Sequence, residues 1–129
     1  MSILIIDDFQ EERDLLYAIL HRAGFGPLLP VATAQEGLNL LGIGKRGKLG
    51  NGIDLVLMDL EMPGMNGIEA VRVIKSHFPN TLVLMQTANE EDDKIFDAIC
   101  AGASGYLLKN TAPSRILEAI HEANLGGSP

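Results

Sequence analysis

Three short apolar runs, Ile3-Leu4-Ile5-Ile6, Leu55-Val56-Leu57-Met58 and Leu82-Val83-Leu84-Met85, are separated by stretches in which apolar residues return every three or four positions. The first pattern suits buried strands and the second amphipathic helices, and their alternation predicts five strand-then-helix units. Ile3 to Ile6 forms the first strand and ends abruptly at Asp7-Asp8. In the helix that follows, Leu15, Leu16, Ile19, Leu20 and Ala23 share one face, and Gly24 suits the exit. Leu28 to Ala32 is a second, short strand, placed at a sheet edge because Pro30 cannot donate to a central ladder. Thr33-Ala34-Gln35-Glu36 reads as a capping box, opening a helix that turns Leu38 and Leu41 inward.

A glycine-rich loop spans residues 42 to 52, and Ile53 to Met58 is the third strand. Asn66 caps the third helix with Glu69 three residues on; Ile68, Val71, Ile74 and Phe78 line its buried side and Pro79 stops it. Thr81 to Met85 is the fourth strand. A helix around Glu90 to Ala101 buries Ile95, Phe96 and Ile99 and exits at Gly102. Gly105 to Leu108 is the fifth strand, and Pro113 sits in the first turn of a last helix with Ile116, Leu117 and Ile120 on its core face. Such alternation implies an α/β fold with a parallel sheet covered on both sides by right-handed crossovers.

All strands of a parallel sheet point their carboxyl ends to one edge, and the residues there are unusual. The first strand ends at Asp7-Asp8, the third at Asp59, the fourth at Gln86-Thr87 and the fifth at Lys109. With strand order 2-1-3-4-5 the reversal lies between the first and third strands, so the three aspartates flank one crevice with Thr87 and Lys109 beside it. Three carboxylates in one crevice repel one another, and either protonation or a bound cation relieves them. Oxygen ligands with room for water suit Mg²⁺. A metal, an ammonium and a hydroxyl together stabilise a transferring phosphoryl group, and a carboxylate can serve as its nucleophile.

Each of these residues has a plainer reading. Asp-Asp pairs occur in ordinary turns, Thr87 can be a strand-end or N-cap hydroxyl, Lys109 a solvated lysine and Tyr106 a packing residue. Only their convergence at strand ends favours the chemical reading. Cys100 reads as a small buried helix residue, and His21, His77 and His121 as surface residues without ligand spacing. Gly42-x-Gly44-x-x-Gly47 matches a dinucleotide fingerprint by letter only, because it follows a helix and precedes a strand.

Asp7-Asp8, the segment Met58-Asp59-Leu60-Glu61-Met62-Pro63-Gly64-Met65-Asn66-Gly67, Thr87-Ala88 and Gly105-Tyr106-Leu107-Leu108-Lys109 together resemble the receiver domain of response regulators, along essentially the whole chain. The resemblance implies a flavodoxin-like (βα)5 sandwich of CheY type with strand order 2-1-3-4-5. It implies that Asp59 accepts a phosphoryl group from a histidine kinase or phosphotransfer protein. Asp8, Asp59 and the Glu61 backbone carbonyl would ligate Mg²⁺, with Asp7 acting through water; Thr87 and Lys109 would contact the phosphoryl group, and Tyr106 would be the aromatic that moves when Thr87 shifts. Glu61 and Asn89 stand where the family tunes the acyl-phosphate lifetime. The last third, from Ala101-Gly102-Ala103-Ser104-Gly105 to Gly126-Gly127-Ser128-Pro129, is most similar to receivers that precede a helix-turn-helix (NarL/LuxR-type) DNA-binding domain. Two features depart from the family: Asn110 stands where proline often follows the lysine, so that a cis bond there would cost about 2.5–4 kcal/mol, and the 42–52 loop is long.

Composition narrows the rest. The 129 residues and 47% hydrophobic content fit one domain over 1–129, which the resemblance makes a receiver with any C-terminal DNA-binding domain absent from this chain. A formal charge of −7 argues against this domain gripping nucleic acid itself. No apolar run approaches membrane length, no leader is visible and a single cysteine makes no internal disulfide, so no membrane partner and a cytoplasmic location are expected. The expected protein is a phosphoacceptor switch that assists its own phosphorylation and dephosphorylation and can dimerise when phosphorylated, rather than a turnover enzyme. The rivals are a Mg²⁺-dependent aspartyl-phosphate phosphohydrolase, for which no cap-sized insert is present, and a pseudo-receiver, against which the intact acidic set argues.

Overall fold

The computed structural model describes residues 1–42, 52–60, 62, 64, 66–88 and 93–126. The expected glycine-rich loop therefore lies mostly outside the described residues, as do Glu61, Asn89 and the final Gly127-Ser128-Pro129. Strands and helices alternate: β1 (Ile3–Ile6), α1 (Gln10–Arg22), β2 (Leu28–Val31), α2 (Ala34–Leu40), β3 (Leu55–Asp59), α3 (Gly67–His77), β4 (Leu82–Thr87), α4 (Asp93–Cys100), β5 (Gly105–Leu108) and α5 (Pro113–Asn124). The sheet is parallel throughout, in the order β2-β1-β3-β4-β5. Pro30 lies exposed on edge strand β2, where its missing donor is tolerated.

Because side chains alternate along a strand, β1, β3 and β4 each feed two cores. Leu4, Ile6, Val56, Met58, Val83 and Met85 pack with Leu38, Val71, Ile74 and Ile95 from α2, α3 and α4. Ile3, Ile5, Leu55, Leu57, Leu84 and Leu107 pack with Leu16, Leu20, Ile116 and Ile120 from α1 and α5. Burial on both faces is why these strands read as unbroken apolar runs.

Local signals hold where they carry a donor or an acceptor. Thr33 Oγ1 accepts from the Glu36 N–H at 3.1 Å, and Asn66 Oδ1 from the Glu69 N–H at 2.9 Å. Pro113 opens α5. Lys109–Asn110 is not cis; Gly26–Pro27 is. Gly102, just beyond α4, adopts φ +120°, a conformation side chains avoid, and the Lys75 stem lies where its Cβ would be. Lys75 Nζ in turn donates to the carbonyls of Pro79 and Thr81, closing the turn after α3; burial lowers its pKa.

Five expectations about burial are corrected. Leu15 is 57% exposed, one step outside the Leu16/Leu20 stripe, and Ala23, at the end of α1, is exposed as well. Helix α4 offers two overlapping stripes three residues apart, Ile95/Ala98 and Phe96/Ile99. The sheet takes the first, because alanine lets the helix approach closely, and Phe96 and Ile99 are left 71% and 46% exposed. Cys100, at the end of that helix, is exposed rather than buried. Strands β3 and β4 also run further than the apolar pattern, to Asp59 and Thr87, so the polar residues that end the runs are themselves ladder residues. Among the described residues no helix is long and apolar enough to cross a membrane.

Candidate functional site

The carboxyl ends of the strands bury polar groups where the rest of the sheet buries none. Asp7 and Asp59 are 0% and 2% exposed, and Gln86 and Thr87 are buried beside them. Alternation explains which of them meet. Asp59 falls on the side of Leu55 and Leu57, Asp7 on the side of Ile3 and Ile5, and Lys109 on the side of Leu107. All three therefore leave the sheet toward α1 and α5. Thr87 shares the opposite parity with Val83 and Met85, and so does Tyr106, which pairs with Met85.

Asp7, Asp8 and Asp59 each present an oxygen within 4.8 Å of the other two. Lys109 reaches across β4 from the end of β5: its Nζ donates to Asp59 Oδ2 at 2.8 Å and stands 3.6 Å from Asp7 Oδ2. Burial acts to lower the Lys109 pKa, but the hydrogen bond to Asp59 and the charges of Asp59, Asp7 and Glu12 outweigh it and hold the ammonium above the ordinary lysine range. Asp7 is fixed from behind. The Phe9 N–H donates to its Oδ1 at 2.9 Å, and Arg13 donates to its carbonyl at 2.7 Å. Its other oxygen, Oδ2, is buried with no hydrogen-bond donor among the described residues.

Backbone contacts lock the strand ends together. The Leu60 N–H donates to the Gln86 carbonyl at 2.8 Å and the Lys109 N–H to the Thr87 carbonyl at 2.9 Å. Helix α3 starts hard against this edge. A Cβ on Gly67 would lie 2.9 Å from the Asp59 carbonyl and 3.1 Å from Leu60 Cα, so only glycine fits there without moving the backbone that carries Asp59.

The donor set fits a hard divalent cation. It is all oxygen and mostly anionic, it includes one exposed carboxylate (Asp8), and it holds a buried carboxylate oxygen lacking a donor. Among the described residues one lysine opposes three carboxylates, so these groups carry surplus negative charge that a cation would neutralise. A cavity of about 590 Å³ lies between α1 and α5, lined by Leu15, Ile19, Pro113 and Leu117, and is apolar.

Of the residues singled out from the sequence, Asp7, Asp8, Asp59 and Lys109 are brought together, and Thr87 closes the neighbouring strand. Tyr106 stands apart on β5, 39% exposed. Glu61 lies outside the described residues. Sequence reading missed the contact of Phe9, whose ring centroid lies 5.4 Å from Lys109 Nζ, and the packing of Gly67. The only signal for Phe9 was an aromatic side chain directly after the acidic pair.

Comparison with known proteins agrees with this fold. Residues 3–121 match the family model of the response regulator receiver domain. The chain is 31% identical over 122 residues to the chemotaxis protein CheY of Thermotoga maritima, covering 95% of this chain and 96% of that one. It is 35% identical over 127 residues to the transcriptional regulatory protein LnrK of Bacillus subtilis, covering 98% of this chain and 55% of LnrK. A two-component response regulator of the LuxR family from Aurantimonas sp. superposes with a TM-score of 0.83 at 30% identity, covering 99% of this chain and 89% of that one. The chain spans about half the length of the curated transcriptional regulators it matches.

Proposed function

The chain belongs to the response regulator receiver family of two-component signal transduction, and from that premise we propose that Asp59 is its phosphoacceptor, loaded by a histidine kinase or phosphotransfer protein with Mg²⁺ at the acidic cluster. The observation that carries the proposal is the 2.8 Å contact between Lys109 Nζ and the buried Asp59 carboxylate, within a cluster that also holds Asp7 and Asp8. Asp8, Asp59 and the Glu61 carbonyl would hold the metal, with Asp7 reaching it through water. When bound, the metal supplies positive charge to the phosphoryl oxygens and offsets the repulsion among the carboxylates.

An Asp59 oxygen forms the new P–O bond as the P–N bond of the donor breaks, giving an acyl phosphate. Lys109, held protonated by its acidic neighbours, offers a charge to the phosphoryl group as negative charge gathers there. The added phosphoryl group brings acceptor oxygens that Lys109 and the Thr87 hydroxyl can follow. Thr87 and Tyr106 lie on the α4 side of the sheet, so a shift of Thr87 would be passed to Tyr106 and the exposed face of α4 and β5. The same groups would assist hydrolysis of the acyl phosphate. Dimerisation on phosphorylation, a cytoplasmic setting and regulation of transcription through a DNA-binding domain outside this chain belong to this reading. The acidic domain itself would not bind nucleic acid.

The test is intact mass after incubation with acetyl phosphate, with and without Mg²⁺, beside Asp59→Asn. A Mg²⁺-dependent gain of one phosphoryl group, absent in the variant, is the expected result. No gain in folded wild type, or a gain that survives the substitution, would defeat the assignment.

A further inference from the structure

Helix α1 breaks a local rule at its N-cap. Its N-cap position holds Phe9, and no side chain caps the helix, although Ser, Thr, Asp or Asn there is commonly stabilising. Helices α2 and α3 use side-chain caps, while α5, whose N-cap is Ala112, opens on Pro113 without one. The Phe9 ring is not spent on the core either, since it is 62% exposed. Its face lies instead over the Lys109 ammonium, 5.4 Å from ring centroid to Nζ, within the range at which an aromatic quadrupole attracts a cation. The backbone N–H of the same residue donates to Asp7 Oδ1. One residue thus touches the lysine through its ring and an acid through its backbone, and a departure from local preference that coincides with a site suggests a functional use.

We propose that Phe9 is a positioning residue for phosphoryl transfer, its ring seating the Lys109 ammonium against Asp59; this rests on the reading of Asp59 as phosphoacceptor. Lysine is a flexible four-carbon stem with a strongly hydrated head. Lys109 arrives from β5, two strands away from β3, with its ammonium still partly open to water. The ring covers one side of that head without offering a hydrogen bond, so the donors stay free for Asp59 and for a phosphoryl oxygen. The hydrogen bond to Asp59 holds the head on one side, and the ring restrains it on another.

Two measurements on Phe9→Leu and Phe9→Trp test this. Leucine keeps apolar bulk and removes the quadrupole; tryptophan strengthens it. In unphosphorylated protein, the ring current of Phe9 should shift the Lys109 ε-methylene protons upfield in the NMR spectrum, an effect lost in Phe9→Leu and kept in Phe9→Trp. With acetyl phosphate and saturating Mg²⁺, Phe9→Leu should slow phosphoryl gain about two- to fivefold, the scale of one exposed cation–π contact, while Phe9→Trp matches or exceeds wild type. Equal rates for all three, or no ring-current shift in wild type, would overturn the proposal while leaving Asp59 phosphorylation standing. Failure of wild type to gain any phosphoryl group would instead remove the reading on which it rests.

Discussion

The body of the sheet and its carboxyl edge are built from the same strands and obey opposite rules. In the body, Leu55, Val56, Leu57 and Met58 are wholly buried among apolar neighbours. One residue on, Asp59 is almost as buried but, among the described residues, faces two more carboxylates and one lysine. Each step into the body gains stability by burying apolar surface. The step onto the edge costs stability, because like charges are held together and Asp7 Oδ2 lacks a donor among the described residues. The difference teaches that the fold's stability and its chemistry occupy adjacent positions of one strand and can be perturbed separately.

Substitutions on either side of that boundary should separate the two properties. The largest effect is expected at Lys109. Lys109→Gln removes the charge facing Asp59 and should slow phosphoryl gain from acetyl phosphate by about 10²–10³-fold, the scale of losing one preorganised electrostatic group. Time-resolved intact mass checks this, and a rate within threefold of wild type would show that Lys109 is a structural counter-ion only. On the body side, Leu57→Ala should cost about 2–5 kcal/mol in urea unfolding through the cavity it leaves. The fraction that stays folded should still take up a phosphoryl group on Asp59.

Gly67 sits on the boundary itself. Gly67→Ala should cost about 1–3 kcal/mol by overpacking. Because the new methyl group would press on the Asp59 carbonyl and Leu60, it should also slow phosphoryl gain, which Leu57→Ala should not. A loss of stability with an unchanged rate would place the strain elsewhere. The smallest effect belongs to Asn66→Ala. It removes the α3 cap and should cost about 0.5–2 kcal/mol in the same urea assay.

How much of this was legible in the sequence follows the same boundary. The apolar runs and their spacing gave the ten elements, and the polar residue after each run marked the edge, because burial on both faces leaves little else that can end such a strand. Asp7, Asp8, Asp59 and Lys109 meet as their positions implied. Helix faces were harder to read. In α4 the periodicity allows Ile95/Ala98 or Phe96/Ile99 inward, and only the close approach of the helix to the sheet decides. Cys100 and Leu15 were misplaced for the same reason, each lying one step from a buried stripe. The Phe9–Lys109 contact joins residues a hundred positions apart through a ring that no periodicity marks, and the need for glycine at 67 arises from the packing of α3 on β3 and β4.

The most direct test of the contrast is urea stability of wild type and Asp59→Asn, each measured with and without Mg²⁺. If the edge holds surplus negative charge ready for a cation, Mg²⁺ should stabilise wild type. Asp59→Asn should be at least as stable as wild type without Mg²⁺ and gain little from adding it. A wild type indifferent to Mg²⁺, with Asp59→Asn less stable in its absence, would contradict the account: the Asp59–Lys109 pair would then be an ordinary structural ion pair.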